Sequence, residues 1–228
     1  MRGRAASPHL GRGPLALLGD GILLFLALWG TAATLVTAFD LTLLSRALPL
    51  GCGVCALVFL LAFSLPRRYG LLVLCPVGAV WALALWRLWD VLVLGEVQLR
   101  CGVVNAFVTW LGRGTYIEPV AQLTPHGWAA ALTALVLAAL VPLAWVLALA
   151  AVYLRSFWAV LCLTLPFALI PWCTVGAGWL PAMALALCWC AMALTRLAAR
   201  QGRRGTAKIT LALLPALALL LGLITLVT

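Results

Sequence analysis

Charge is what this chain has least of. In 228 residues there are five acids, Asp20, Asp40, Asp90, Glu96 and Glu118, and two histidines, His9 and His126. Charged residues amount to 9% of the sequence, where an ordinary soluble domain carries about 25%. That excludes a water-soluble globule, because 66% hydrophobic residues and a mean hydropathy of +1.19 leave more apolar surface than so few charges can cover. Only lipid accommodates it.

The same scarcity excludes most chemistry. General acid–base work needs paired carboxylates or a histidine beside its partner, and the two histidines are isolated. No P-loop, no H-E-x-x-H and no G-x-S-x-G elbow occurs, and no base stands beside the few serines to activate one. A self-contained membrane enzyme is the weakest reading. Nothing in residues 1–228 is assigned as a catalytic, cofactor or metal site.

What is present is a series of charge-free apolar segments, each about one bilayer long, since roughly 20 helical residues cross about 30 Å of hydrocarbon. The first four spans fall at 21–39, 47–66, 69–86 and 127–152. The 40 residues 156–195 carry no charge and as one helix would be about 60 Å long. They therefore fold back through "PWCTVGAGWLP", where Pro171, Gly176, Gly178 and Pro181 break the helix. This yields spans at 156–172 and 179–195, and a last span at 209–228. The expected fold is an all-α polytopic bundle of about seven spans in a single domain. Basic residues before the first span also fit a signal peptide, with "VTA" at 36–38 a loose cleavage match, but the run exceeds the usual core of 7 to 15 residues. A retained first span is expected.

The net charge of +10 raises the question of nucleic acid, especially at "RLAARQGRRGTAKI" (196–209). A nucleic-acid surface interleaves cations with aromatic or polar base readers, and that run has no aromatic, so nucleic acid is not assigned as a partner. Topology explains it better. Arg2, Arg4, Arg12, Arg67, Arg68, Arg155, Arg196, Arg200, Arg203, Arg204 and Lys208 all fall on one side of the spans. The other side has Arg46, Arg87, Arg100 and Arg113, balanced by Asp40, Asp90, Glu96 and Glu118. The basic side is cytoplasmic by the positive-inside rule. The N-terminus is then inside, 196–208 is a cytoplasmic loop, and Thr228 is outside. Trp86, Trp89, Trp110, Trp128, Trp172 and Trp179 fall near the outer boundary and Tyr69, Tyr153 and Trp158 near the inner one, as an aromatic belt requires.

The segment 87–125 is the only sizeable non-membrane element and reads as an outer interfacial helix. Arg87 and Asp90 at i,i+3 and Glu96 and Arg100 at i,i+4 are spaced to pair, and its Trp, Val and Leu residues supply a side that can lie on lipid. Asp20 is the one acid near the start of a span, close enough to Arg12 and the headgroups for an interfacial role. Cys52 and Cys55 form a C-x-x-C, and Cys188 and Cys190 a close pair. A redox or zinc site needs accessible thiolates beside cations or histidines, so these read as small apolar filling. Cys101 and Cys173 share the oxidising side without evidence of their distance.

The order "LLGDGILLFLALWGTAATLVTAFDL", "FSLPRRYG", a long outer segment, "LTLPFALIPWCTVGAGWLPAMALAL" and "TRLAARQGRRGTAKITLALLPALALLLGLITL" resembles the N-terminal membrane region of bacterial transglutaminase-like membrane proteins. The resemblance covers nearly the whole chain and rests on order, loop lengths and the Arg-rich loop before the final span. It implies a multi-pass protein of the bacterial cytoplasmic membrane. It also implies an extracytoplasmic, papain-like thiol domain with a Cys, His and Asp triad, which would have to lie beyond Thr228, so no triad residue maps onto this sequence. The expected function is a non-catalytic membrane anchor holding such a C-terminal domain outside, with the bilayer and other envelope proteins as partners and no cofactor. The alternative is a small-solute binding or transport subunit.

Overall fold

A computed structural model describes residues 14–44, 46–118, 123–170 and 178–201. Its described residues are all helix and connection: α1 (Pro14–Ala38), α2 (Ala47–Ser64), α3 (Arg67–Arg87), α4 (Trp89–Leu111), α5 (Pro125–Ala148, prolonged by a π-helical turn Leu149–Tyr153), α6 (Phe157–Leu169) and α7 (Trp179–Gln201). The last span at 209–228, the loop residues 202–208, the turn residues 171–177 with Cys173 and Trp172, and Arg2, Arg4, His9 and Arg12 lie outside the described residues. α1 to α4 and α5 with its π turn are each long and apolar enough to cross a membrane, while α6 and the apolar part of α7 are shorter.

The observed elements follow the apolar segments, with informative differences at their ends. α1 starts seven residues before the expected 21, because Asp20 is accommodated within the helix rather than ending it. α7 continues to Gln201, so the first part of the Arg-rich segment extends a helix. α5 opens with Pro125 in its first turn and the Thr124 hydroxyl accepting the Gly127 N–H at 3.2 Å, which satisfies one of the unpaired amides at a helix start. Ser156 does the same for α6.

α1 is the central helix. It packs against α2, α5, α6 and α7, and Leu24, Leu26, Leu28, Thr31 and Thr34 along it are fully buried. α2, α5 and α7 run antiparallel to it and α6 parallel, from the Asp20–Arg155 end to Ile170 beside Phe39 and Leu41. Gly21 of α1 faces Leu60 near the end of α2, while Gly30 faces Leu185 and Thr37 approaches Gly178 along α7. In lipid, burial of apolar groups does not drive helices together, so close packing and hydrogen bonds must do so. Gly30 serves that purpose: a Cβ there would lie 2.8 Å from Leu185 Cγ, and its absence lets α1 and α7 meet closely.

α3 runs directly into α4. Leu88 alone separates them, with φ −101° and ψ 13°, and its N–H donates to the Ala84 carbonyl while its own carbonyl accepts the Leu92 N–H. α4 then packs on one end of the bundle. Gly95 lies against the Ala131 carbonyl, Gly102 against Leu41 and the Phe39 carbonyl, and Phe39, Leu41 and Leu132 form a second small core with Leu99, Val103 and Ala106. That end holds the α1–α2 connection and the start of α5. The opposite end holds the start of α1 and the end of α5, where Asp20 meets Arg155 and the rings of Phe63 and Tyr153 lie 6.3 Å apart.

Candidate functional site

Among the described residues the most deeply buried polar side chains are threonines, and each of their hydroxyls bonds within its own helix, whereas the buried Ser64 hydroxyl and Gln98 amide oxygen have no hydrogen-bond partner. Thr31 donates to the carbonyls of Ala27 and Leu28, Thr34 to Gly30 at 2.6 Å, and Thr164 to Val160 at 2.8 Å. Such back-bonding satisfies a hydroxyl within its own helix. Two threonines also tie elements together. Thr133 donates to Ala129 and accepts the Leu44 N–H at 3.0 Å, closing the α1–α2 connection onto α5. Thr164 accepts from the Trp189 indole at 2.8 Å, joining α6 to α7.

A third tie involves proline. Pro142 has no N–H, so in α5 the carbonyl of Ala138 loses its usual i→i−4 donor. The Trp81 indole of α3 donates to that carbonyl at 2.9 Å. α3 is otherwise widely exposed, with Leu72, Val80 and Trp86 each more than 60% accessible, so this bond anchors a peripheral helix.

The cysteines of interest divide by position. Cys52 and Cys188 are buried in the main core, Cys55 is half-buried beside it, and Cys190 is exposed. The Cys188 thiol donates to the Leu23 carbonyl at 3.5 Å, bridging α7 to α1. Cys188 and Cys190 therefore do not form a site together. Among the described residues, no group of three or more His, Cys, Asp or Glu side chains is placed to hold a metal ion.

Asp20 lies within the first part of α1, while Arg12, beside which the sequence put it, lies outside the described residues. The Asp20 side chain is only 19% exposed and lies 3.6 Å from the Arg155 guanidinium. Arg155 takes a left-handed conformation, φ 49°, at the close of the π turn, where Leu154 N–H bonds to Leu149 and Ser156 N–H to Ala150. Glycine is favoured in such a cap, yet here an arginine occupies it and reaches across to α1. The sequence offered no signal for this pairing, because 135 positions separate the two residues.

At the other end, Glu96 and Arg100 form the ion pair their spacing predicts, with side chains 48% and 75% exposed. Arg87 and Asp90 sit on opposite sides of the Leu88 break, and the Arg87 guanidinium lies over the Trp86 ring, 5.6 Å from its centroid. Beyond α4, Gly112 (φ 62°) turns the chain back. The Asn105 amide then pairs with both backbone groups of Ile117, accepting its N–H at 2.8 Å and donating to its carbonyl at 3.0 Å. Thr109 and Tyr116 share a hydrogen bond at 3.3 Å. Residues 113–118 thus form a strap pinned along α4. Of the expected outer aromatics, Trp86, Trp89, Trp110 and Trp179 are exposed, but Trp128 is buried and serves packing instead. Tyr69, Tyr153 and Trp158 are exposed at the other end.

No protein-family model matches the chain, and neither a curated protein nor a solved structure matches it.

Proposed function

We propose that this chain is a multi-pass membrane anchor whose helices serve to hold and orient sequence beyond them on the outer face of a bacterial cytoplasmic membrane. The observation that carries this reading is the composition of the bundle centre. α1 is sealed by Leu24, Leu26, Leu28 and its neighbours, and the hydroxyls of Thr31 and Thr34 are turned back onto their own helix. A solute site needs polar groups converging on a cavity, whereas these hydroxyls are spent on carbonyls of their own helix.

In this reading α1, α2, α3, α5, α6, α7 and the segment 209–228 cross the bilayer, and α4 lies along its outer surface. Two features favour that role for α4. It packs on residues at one end of the bundle, Phe39, Leu41, Ala131 and Leu132. It also carries the exposed Glu96–Arg100 pair near its middle, where a spanning orientation would present Arg100 to lipid near the midplane at about 2.5–3.5 kcal/mol on insertion scales. The end bearing Arg155, the start of α3 and the Arg-rich segment is cytoplasmic by the positive-inside rule, and the resemblance to transglutaminase-like membrane proteins supports the same orientation.

Paired reporters test this, one active only outside the cytoplasm and one active only within. Fused after Thr228 or at Arg113, the outside reporter is expected to be active, and at Arg155 the cytoplasmic one. Cytoplasmic activity after Thr228 overturns the anchor reading. The mass of the native product, detected by an antibody to the loop around Arg200, gives a second check: an anchor is expected to migrate well above the 24.2 kDa of these 228 residues.

A further inference from the structure

We propose that the segment 209–228 docks lengthwise in a groove on α1 between α2 and α7, running parallel to α1. The proposal rests on the reading that this segment crosses the bilayer outward, and names what it packs against.

The groove follows from how three helices are rotated. At about 100° per residue, Leu18, Ile22, Phe25 and Trp29 form one stripe along α1, within roughly 60° of one another. The observed contacts of α1 lie beside or behind that stripe. Gly21, which faces Leu60 of α2, is about 70° round the helix one way, and Gly30, which faces Leu185 of α7, about 110° the other way. Asp20, which meets Arg155 after the π turn of α5, is at the back.

α7 and α2 supply the walls. Leu185 and Cys188 of α7 meet α1, and Trp189 bonds to Thr164 of α6. Ala184 and Ala191, about 150° round α7 from Trp189, therefore border the groove. On α2, Gly51 packs on Leu137 of α5, whereas Gly53, on the opposite side, has no atom within 4 Å of where a Cβ would stand. α2 and α7 both pack on α1 without packing on each other. Among the described helices none stands over the stripe, yet Ile22 and Trp29 are only 7% and 5% accessible, and Ala184 and Ala191 are buried. Flanking alanines do not shield an indole from outside, so a further element covers this side.

Chain length selects that element. Of the chain outside the described residues, only 202–228 contains a charge-free run of bilayer length. α7 runs antiparallel to α1 and ends at Gln201, at the end where Asp20 meets Arg155. The seven residues 202–208 reach up to roughly 25 Å, and packed helices lie about 8–10 Å apart. A span starting at Ile209 thus reaches the groove and runs in the direction of α1. The apolar span of α1 starts at Ala16. Setting Ile209 level with it brings Ala218 beside Phe25 and Gly222 beside Trp29. Small residues four apart allow close approach in membranes, and here they meet the two bulkiest side chains of the stripe.

Photocrosslinking in the full chain tests this. Benzoylphenylalanine replaces Leu18, Phe25 or, as a control on the exposed side of α3, Leu72, one at a time, in phospholipid vesicles, and captured peptides are mapped by mass spectrometry. Leu18 is already 44% exposed, so a probe there leaves the packing intact. Phe25 is expected to capture residues within about one turn of Ala218 and Leu18 residues near Ile209, each with about tenfold the yield from Leu72 into 209–228, because the probe reacts only with what it touches. Capture between two copies means that a second chain fills the groove, and capture of lipid alone or of residues 1–13 means that 209–228 lies elsewhere. Capture in the reverse order, with Leu18 reaching residues near Thr228, means an antiparallel segment. Each of these overturns the proposal. The reporter after Thr228 is read on the same chains: outside activity without capture leaves the anchor reading standing and removes the groove assignment, whereas cytoplasmic activity removes both.

Discussion

The indole of Trp81 on α3 donates a 2.9 Å hydrogen bond to the carbonyl of Ala138 on α5, four residues before Pro142. A proline in a membrane helix frees one carbonyl, and an unpaired carbonyl in lipid is costly enough that a neighbour is expected to supply a donor. Here that donor also ties α3, which otherwise packs mainly on α2, to α5. Replacing Trp81 with Phe removes the N–H and keeps most of the ring. It is expected to destabilise the bundle by about 0.6–1.7 kcal/mol, the range measured for interhelical bonds in membranes. Pro142→Ala gives Ala138 an intrahelical donor, so Trp81→Phe is expected to cost less in that background. Reversible unfolding in mixed detergent, run as a double-mutant cycle, reads the coupling.

Close helix approach at two glycines predicts different tolerance. At Gly30 an added methyl would meet the Leu185 side chain, and at Gly95 it would lie 2.5 Å from the Ala131 carbonyl oxygen. A side chain can shift, but a helix backbone shifts only with its helix. Gly30→Ala is expected to cost about 1–3 kcal/mol, as overpacking does, and to be partly rescued by Leu185→Ala. Gly95→Ala is expected to separate α4 from α5 and to cost more. Thermal unfolding of the three variants in detergent gives the order.

The pair of Asp20 and Arg155 sets a strained backbone against a charge contact. Arg155→Ala keeps a non-glycine residue at φ 49° and removes the charge contact with Asp20. Arg155→Gly also removes that contact but relieves the strain, which at such a position is worth about 1 kcal/mol. The glycine variant is therefore expected to be the more stable of the two. With Arg155 more than half exposed, the ion pair itself is worth at most about 1 kcal/mol. Unfolding midpoints of both variants, alone and with Asp20→Asn, separate the two contributions.

Asn105 controls the strap over α4. Its amide satisfies both backbone groups of Ile117, so Asn105→Ala leaves the strap held chiefly by Tyr116 and its own turn. Each lost bond of about 1 kcal/mol raises opening severalfold. Hydrogen exchange of the Ile117 amide is expected to quicken by roughly tenfold, with little change at Leu99 in the packed side of the same helix.

Much of this architecture was legible because lipid imposes a simple rule. Charge-free runs of bilayer length must be helical, and the breaks at Asp40, Arg46, Arg67, Arg87 and Arg155 mark where they end. The i,i+4 spacing of Glu96 and Arg100 was equally readable, since a helix fixes the distance between such neighbours. Asp20 was harder to read. Its local surroundings suggested Arg12 and the headgroups, while the contact with Arg155 comes from the far end of α5, and no local pattern encodes that meeting. Trp128 shows the same limit in reverse. Its position near a helix start suits a boundary aromatic, while its rotation about the helix axis turns it inward.

Composition and the placement of charge by themselves determined a helical, membrane-type chain, as the described residues show, because insertion energies depend on residue type and depth alone. Tertiary structure decided which polar groups meet: Trp81 with Ala138, Asp20 with Arg155, Thr164 with Trp189. It also decided that α1 is the centre and α3 the periphery. Those outcomes depend on how each helix is rotated and which small residues allow close approach, and in an alanine- and leucine-rich chain many rotations look alike until the helices are packed.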